Sequence, residues 1–484
     1  MSSRSRELRF ENKMTDAEAL MWNIEKDPWL SPNGAMVTIL DQPVDVERFR
    51  RHIRNAVAEV PRLRERVVPG FGRLAPPTWA ADPEFDLDYH IRHVALPGEG
   101  SIRQLLDLCT QWYEDPYDRT RPLWQFVLID GLEGGRGAMF SKMHHSITDG
   151  IGAMRLSEKY LTLERDADAP APVDLEAIVA EAIAGSETAE ANADGVSPGN
   201  SLRRSLGHVA RRQAGLARRA LGEVATWTGD PLLARDFAED VSGQVKAVLD
   251  QLDGDEESRP GSPLFTDRSR GRRLEVVTLE VDDLKAAGKA LGASINDLFV
   301  AGVALGAVAY HEARDVELEG LNTSFVVSTR SDDAIGGNSF TPTMLHLPGS
   351  AESPEAYVAE ARDRMTARRE AVAGDGALSG LAGVANLLPT SVVTQVARAQ
   401  AGKLDIATSN LRGAWFPTFV GGALVERNIV LGPVSGTAMN VTAMSSNGRF
   451  EIGMVIDPAA VEDPAEFRDH VATAFAGLLA HAED

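Results

Sequence analysis

The sequence predicts an α/β protein of two subdomains joined by a long linker. Three observations carry that prediction. The chain has 484 residues, more than one ordinary hydrophobic core serves. Strand-like runs alternate with helical patterns on both sides of a middle stretch of different composition. That stretch closes at Arg259-Pro260-Gly261-Ser262-Pro263, a plain boundary. Residues 1–165 are the expected N-terminal subdomain, 166–263 the linker and 264–484 the C-terminal subdomain.

In the first part, Ala35–Leu40 reads as a strand. Val46–Val60 has helical apolar spacing with a basic face and ends before Pro61. Asp86–Val94 is expected to be a strand, the region around Leu105–Leu108 a helix, and Leu123–Ile129 a buried strand. Gly137–Phe140 is another buried strand, and the pattern after Ile151 is helical to about Leu163. Residues 164–200 are rich in Ala, Asp, Glu and Pro and read as a loose linker. Ser201–Gly222 reverses the charge: six arginines and no acid accompany apolar residues at helical spacing. Such a basic amphipathic helix suits a membrane interface, or else docks on the acidic body of the protein.

Beyond the boundary, Arg273–Leu279 is strand-like, and Val281–Leu291 is a helix stopped by Gly292. Ser294 and Asp297 stand at capping-box spacing before the long apolar helix that follows. Ser324–Arg330 and Met344–Pro348 read as strands, and Pro354–Val372 and a stretch reaching Ala399 as helices. Met439–Ser445 and Arg449–Ile456 flank Asn447-Gly448, the signature of a tight hairpin. Pro464–Leu479 is the closing helix. No run of 18 apolar residues occurs, and Met1–Glu7 lacks the apolar core of a secretory signal, so neither a spanning helix nor export is expected.

The formal charge of −22 argues against general nucleic-acid binding. Cys109 is the only cysteine, which excludes an intrachain disulfide and fits a reducing compartment. Its place on an apolar helical face makes it a packed thiol rather than a nucleophile.

The stretch that carries chemistry is Met143-His144-His145-Ser146-Ile147-Thr148-Asp149-Gly150. It joins a buried strand to a helix, a common way to hold reactive side chains at a sheet edge. An imidazole there can take a proton from a hydroxyl and return it to a leaving group. Asp149 can orient a ring or pin the loop through an arginine, and Gly150 permits backbone angles closed to other residues. The plainer alternative is that Asp149 caps the next helix and the histidines fill a polar corner. Two adjacent His with one Asp lack the spacing and ligand count of a usual zinc site, so no metal is expected.

The flanks favour the first of these readings. Pro116-Tyr117-Asp118-Arg119-Thr120-Arg121-Pro122-Leu123-Trp124, followed by Lys142-Met143-His144-His145, resembles the bacterial wax ester synthase/diacylglycerol acyltransferase family. That family carries a His-His-x-x-x-Asp-Gly motif and an upstream Pro-Leu-Trp. Asn296-Asp297, the Val-Ser-x-Arg-like run to Arg330, Gly337-Asn338 and Thr408-Ser409-Asn410-Leu411-Arg412-Gly413 resemble its later blocks. The sequence departs from the family at Leu411-Arg412, where Val-Pro is usual, and at Ser446, where Tyr is usual.

The resemblance implies two chloramphenicol-acetyltransferase-like subdomains with a channel between them and one active site per chain. It implies acyl transfer from acyl-CoA, a substrate rather than a cofactor, to a long-chain alcohol or diacylglycerol. His145 is the implied general base, His144 a shaping or contact residue, and Asp149 an architectural one. In related folds an arginine after the first long helix pairs with the motif Asp; Arg64 is the candidate here, with Arg62 second. Trp124 is read as a packing residue and Asn296-Asp297 as structural. Asn296, Ser409 and Asn410 are the candidates near substrate. The implied place is the cytoplasm, peripheral on the inner face of the membrane through Ser201–Gly222. The rivals are a condensation-domain-like enzyme that takes its acyl group from a carrier protein, and a lipid-binding paralogue without turnover.

Overall fold

The computed structural model describes residues 12–69, 76–148, 150–191, 261–328, 340–350, 352–372 and 390–481. The basic stretch 201–222, Asp149, Arg330 and Gly337-Asn338 lie outside these residues.

The chain opens with α1 (Asp16–Ile24), begun by a reciprocal capping box between Thr15 and Glu18. After β1 (Asn33–Leu40) comes α2 (Val46–Glu59), capped by the Asp45 side chain and ended before Pro61. A two-stranded ribbon of β2 (Glu65–Val68) and β3 (Thr78–Ala81) follows. The strand expected over Asp86–Val94 splits. Asp86 accepts the Asp88 N–H at 2.9 Å and starts a one-turn helix, α3 (Leu87–His90), so that β4 is only Ile91–Ala95. Next come α4 (Ile102–Glu114) and the hairpin of β5 (Trp124–Leu132) with β6 (Arg136–His144). The helix after the His loop, α5 (Gly150–Ser157), ends sooner than its apolar pattern. Leu161–Thr162 form β7 instead, before α6 (Leu175–Ala191).

The second part begins with β8 (Arg273–Glu280), α7 (Val281–Leu291) and α8 (Ile295–Glu312). Gly292 adopts φ 61°, which ends α7, and Ser294 with Asp297 begins α8 as a capping box. Then come β9 (Gly320–Ser328), β10 (Phe340–Pro348), α9 (Pro354–Val372), α10 (Thr390–Gly402), β11 (Ile406–Arg412), β12 (Phe419–Val420) and β13 (Ala423–Leu431). The hairpin of β14 (Met439–Ser446) and β15 (Arg449–Ile456) turns at Asn447 (φ 46°) and Gly448 (φ 82°), and α11 (Pro464–Ala480) closes the chain.

Two sheets organise these elements. The first has seven strands in the order β4-β5-β6-β1-β13-β12-β7, the second six in the order β10-β9-β11-β14-β15-β8. The sequence partition gave residues 264–484 wholly to the second subdomain. Strand pairing instead carries β12 and β13 into the first sheet, with β13 antiparallel to β1 from Ala35↔Leu431 onward. Hydrophobic patterning reports that these residues are buried, not which sheet they complete.

The sheets meet closely. A Cβ on Gly453 of β15 would fall 2.1 Å from the Val430 carbonyl oxygen of β13. One hydrophobic core joins Val37, Ile39, Ile429 and Leu431 of the first sheet to Leu274 and Val455 of the second. The apolar helix α8 is buried against α11, with Phe475 so close to Gly302 that a Cβ there would lie 2.6 Å from the ring. Among the described residues no single helix is long and apolar enough to cross a membrane; α7 and α8 reach that composition only together, bent by 91°.

Candidate functional site

The His motif leaves the middle of the first sheet. β6 lies between β5 and β1, and His144 is its last residue, paired with Asn33 of β1. Two backbone bonds fix the exit: His144 N–H donates to the Leu123 carbonyl (3.0 Å), and His145 N–H to the Pro32 carbonyl (3.2 Å). The Pro122-Leu123-Trp124 block is thus hydrogen-bonded to the histidine pair. Trp124 is buried and its ring N–H donates to the Leu63 carbonyl at 2.7 Å. His90 stacks on the Trp124 ring at 4.2 Å and its Nδ1 bonds the Trp124 carbonyl at 2.8 Å. Burial pushes the His90 imidazole down to about 4, which keeps it neutral. Together these contacts anchor the strand that receives the motif.

The two histidines differ sharply in their surroundings. His144 is fully buried. Its Nδ1 accepts the Ser146 backbone N–H at 3.0 Å, with the Ser146 hydroxyl at 2.7 Å. An accepting Nδ1 carries no proton, so the ring proton sits on Nε2 and is donated to Glu25 Oε2 at 3.1 Å. Both nitrogens of His144 are therefore spent. His145 is only half-buried. Its ring lies over Gly34 of β1, where a Cβ would come within 3.2 Å of Nε2. Gly34 leaves the room that the second imidazole occupies.

Glu25 is the residue that sequence reasoning missed. It caps the C-terminal end of α1. Burial on its own raises the Glu25 carboxyl, but the hydrogen bond and charge interaction with His144, with Arg119 and Lys142 nearby, outweigh it and hold the group below the usual carboxylate range. Arg119 pairs with Glu25 at 3.4 Å, stacks 3.4 Å above the Trp22 ring and donates to the Trp22 carbonyl at 2.7 Å. Lys142 is buried, bonds the carbonyls of Trp112 (2.9 Å) and Asp115, and is pushed down to about 8 by burial. A signal was present in the sequence: a carboxylate at a helix C-terminus sits at the negative end of the dipole and calls for a partner elsewhere.

The second half brings one of its matched blocks, residues 408–413, against the His loop. Gly150 opens α5, and its constraint is spatial: a Cβ there would lie 3.2 Å from Leu411 Cδ2 on β11. Side chains alternate along a strand, so Ser409 shares the Leu411 face toward the His loop. Asn410 faces the other way, and its Nδ2 donates to Asn296 Oδ1 at the start of α8 (3.3 Å). Asp297 is buried in the cap, bonded to Ser294 and 3.7 Å from Arg369. Arg64 donates to the Val57 and Ala58 carbonyls at the end of α2 (2.5 and 3.0 Å), while Arg62 lies buried over the Trp79 ring at 4.1 Å. The Asp149 end of the expected pair with Arg64 is outside the described residues. Burial raises the Cys109 thiol. Among the described residues no group of three or more His, Cys, Asp or Glu is arranged to hold a metal.

Comparison with known proteins fits this geometry. Residues 14–299 match the model of the wax ester synthase/diacylglycerol acyltransferase catalytic domain, and residues 336–478 match that of the family's C-terminal domain. The chain belongs to the wax ester synthase/diacylglycerol acyltransferase family. A Mycobacterium tuberculosis relative named as a diacylglycerol O-acyltransferase is 30% identical over 479 residues, 98% of this chain and 93% of its own. Another of that name from the same species is 28% identical over 403 residues, 82% of each chain. In fold, the chain is similar to the wax ester synthase/diacylglycerol acyltransferase of Marinobacter aquaeolei, with a TM-score of 0.64 at 18% identity, covering 98% of this chain and 100% of that one. It is also similar to the first condensation domain of the CDA synthetase, with a TM-score of 0.55 at 17% identity, covering 99% and 97%. The chain shares a fold of two subdomains of mixed sheet and helix with both, and it is an O-acyltransferase.

Proposed function

We propose that this acyltransferase moves a fatty acyl group from acyl-CoA to the hydroxyl of a lipid, a long-chain alcohol or diacylglycerol, with His145 as the general base. One observation carries the assignment. Of two adjacent imidazoles, His144 is fully buried with both nitrogens bonded, whereas His145, its ring over Gly34 of β1, is only partly buried.

His145 takes the proton of the acceptor hydroxyl as its oxygen attacks the thioester carbonyl. The tetrahedral intermediate then collapses: the carbon–sulfur bond breaks, the ester forms, and the imidazolium protonates the departing CoA thiolate. No acyl-enzyme is needed, and no serine or cysteine nucleophile enters. A positioned base contributes about 10²–10⁴ in rate. Holding two long substrates in register contributes more, and suits a channel between the two sheets. Ser409, on the β11 face toward the loop, is placed beside the substrate. Asn410 and Asn296 support that wall from behind, and Asp149 takes the architectural role in the motif. The expected place of action is the cytoplasm at the inner membrane face, where both substrates are at hand.

The test offers purified enzyme an acyl-CoA and a panel of alcohols, with ester identified by mass and CoA release followed as free thiol. Ester from a long-chain alcohol or diacylglycerol is expected, and none from His145→Ala. Turnover with acyl-carrier protein but not with acyl-CoA would overturn the donor.

A further inference from the structure

Six large hydrophobic side chains are exposed among the described residues, and four of them gather around one loop. Residues 413–418 connect β11 to β12. Trp415 is 85% exposed and Phe416 38%, their rings edge to face at 5.4 Å. Ile151 is adjacent to Gly150, which packs on Leu411 just before the loop. Leu163, 69% exposed, follows Thr162, which pairs with Phe419 just after it.

The loop is braced in this posture. Gly413 N–H donates to the Ser445 carbonyl (2.7 Å), Asn447 N–H to the Ala414 carbonyl (2.9 Å), and Val425 N–H to the Thr418 carbonyl (2.9 Å). Backbone bonds at both ends thus hold an apolar tip out into solvent. Contiguous exposed apolar side chains mark interaction sites. Residues 406–425 hold no acid and one base, Arg412, in a chain with 71 acidic residues. Trp and Phe on an acid-free tip suit the interface of a lipid layer, where an indole keeps its N–H wet and its ring in hydrocarbon. The loop continues the strand that carries Ser409 and Leu411, so contact there brings the Gly150–Leu411 seam to the lipid.

We propose that the 413–418 loop, with Ile151 and Leu163 beside it, docks the enzyme on a phospholipid bilayer through insertion of Trp415 and Phe416. The choice of a lipid partner rests on the acyl-transfer reading above; the docking itself is measured without turnover. The attachment is apolar, so it holds on uncharged lipid and in high salt, unlike binding through a basic helix.

The experiment floats the full chain with phosphatidylcholine vesicles at low and high salt, wild type against W415S/F416S and W415F. Binding falls about tenfold in the double variant at both salt concentrations and is largely kept in W415F. Turnover of acyl-CoA with a water-soluble short alcohol and the melting temperature stay at wild-type values in the double variant. Three results overturn the proposal: unchanged flotation, an equal loss of soluble-alcohol turnover, or a dimer that becomes a monomer on substitution. If wild type floats, the variant does not and no ester forms with any alcohol, docking stands and the acyl-transfer reading falls.

Discussion

Two polar clusters meet across the contact between Gly150 and Leu411, and they use their groups in opposite ways. At the end of β6, one histidine is sealed with Glu25 and Ser146 while its neighbour stays half-open. At the start of α8, Asn296 bonds Asn410 and Asp297 is consumed by the cap of its own helix. Two carboxylates, Glu25 and Asp405, diverge as well. Glu25 is held low by the outweighing effect of its His144 and cationic partners. Asp405, just before β11, is pushed up to about 6 by burial, against only the N–H groups of Ser262 and Asn322 and a more distant Arg268. The two histidines thus differ in burial, and the two carboxylates in the charges that surround them.

The strongest way to break that contrast is at the open ring. His145→Ala is expected to lower kcat by about 10³ with the melting temperature nearly unchanged. Purified variant with wild-type turnover would move the chemistry elsewhere. His144→Ala is expected to act differently, through the loop, losing activity together with melting temperature.

Next comes the carboxylate that sequence reading did not find. Glu25→Leu leaves the buried Nε2–H of His144 without its acceptor, at a cost of about 1–3 kcal/mol. We expect a melting temperature several degrees lower and kcat reduced about tenfold as the His145–Ser146 turn loosens. Glu25→Gln keeps an acceptor and recovers most of the activity. Its folded carboxyl lies below the ordinary value, so its stabilising contribution is complete above about pH 4.5 and fades as pH falls through the folded pKa. A Glu25→Leu protein that melts and turns over like wild type would end this account of the first histidine.

These two positions also show what a sequence holds. The His pair, the Pro-Leu-Trp block, the capping box at Ser294 and the Asn-Gly hairpin were legible because each is a local pattern with a local cause. Glu25 was not, since its partner lies 119 positions away, and Gly34 was not, because the space it leaves belongs to a ring from the turn after another strand. The strand exchange of β12 and β13 escaped for the same reason: burial is written in hydrophobicity, but the choice of sheet is settled by long-range packing. Even α3 was hidden, where one Asp86 side-chain bond turned an expected strand into helix.

The contrast between the two carboxylates can be sharpened through Asp405. Its folded pKa is raised, so the stability it supports is complete below the unfolded value near 3.8 and is lost as pH rises through about 6. Asp405→Asn removes that loss. Relative to wild type, the variant is expected to gain melting temperature above pH 6, by at most about 3 kcal/mol in stability, and to lose the advantage near pH 4. Thermal scans across that range decide it, and a difference that does not vary with pH would mean that Asp405 is not ionising as described.

The smallest effect is expected at the capping box, and it is the one that separates a helix cap from a catalytic pair. Asp297 accepts from Ser294 N–H and hydroxyl through one oxygen and lies 3.7 Å from Arg369 through the other. It also sits at the positive end of α8, where a carboxylate is favourable. Asp297→Ala removes one side of the box and is expected to cost about 1 kcal/mol, read as a melting temperature lower by a few degrees. Turnover at saturating substrate is expected within twofold of wild type, since the cap is one residue removed from the Asn296–Asn410 contact and on the far side of β11 from His145. A loss of kcat as large as that of His145→Ala, at an unchanged melting temperature, would place Asp297 in the chemistry and erase the difference between the two halves.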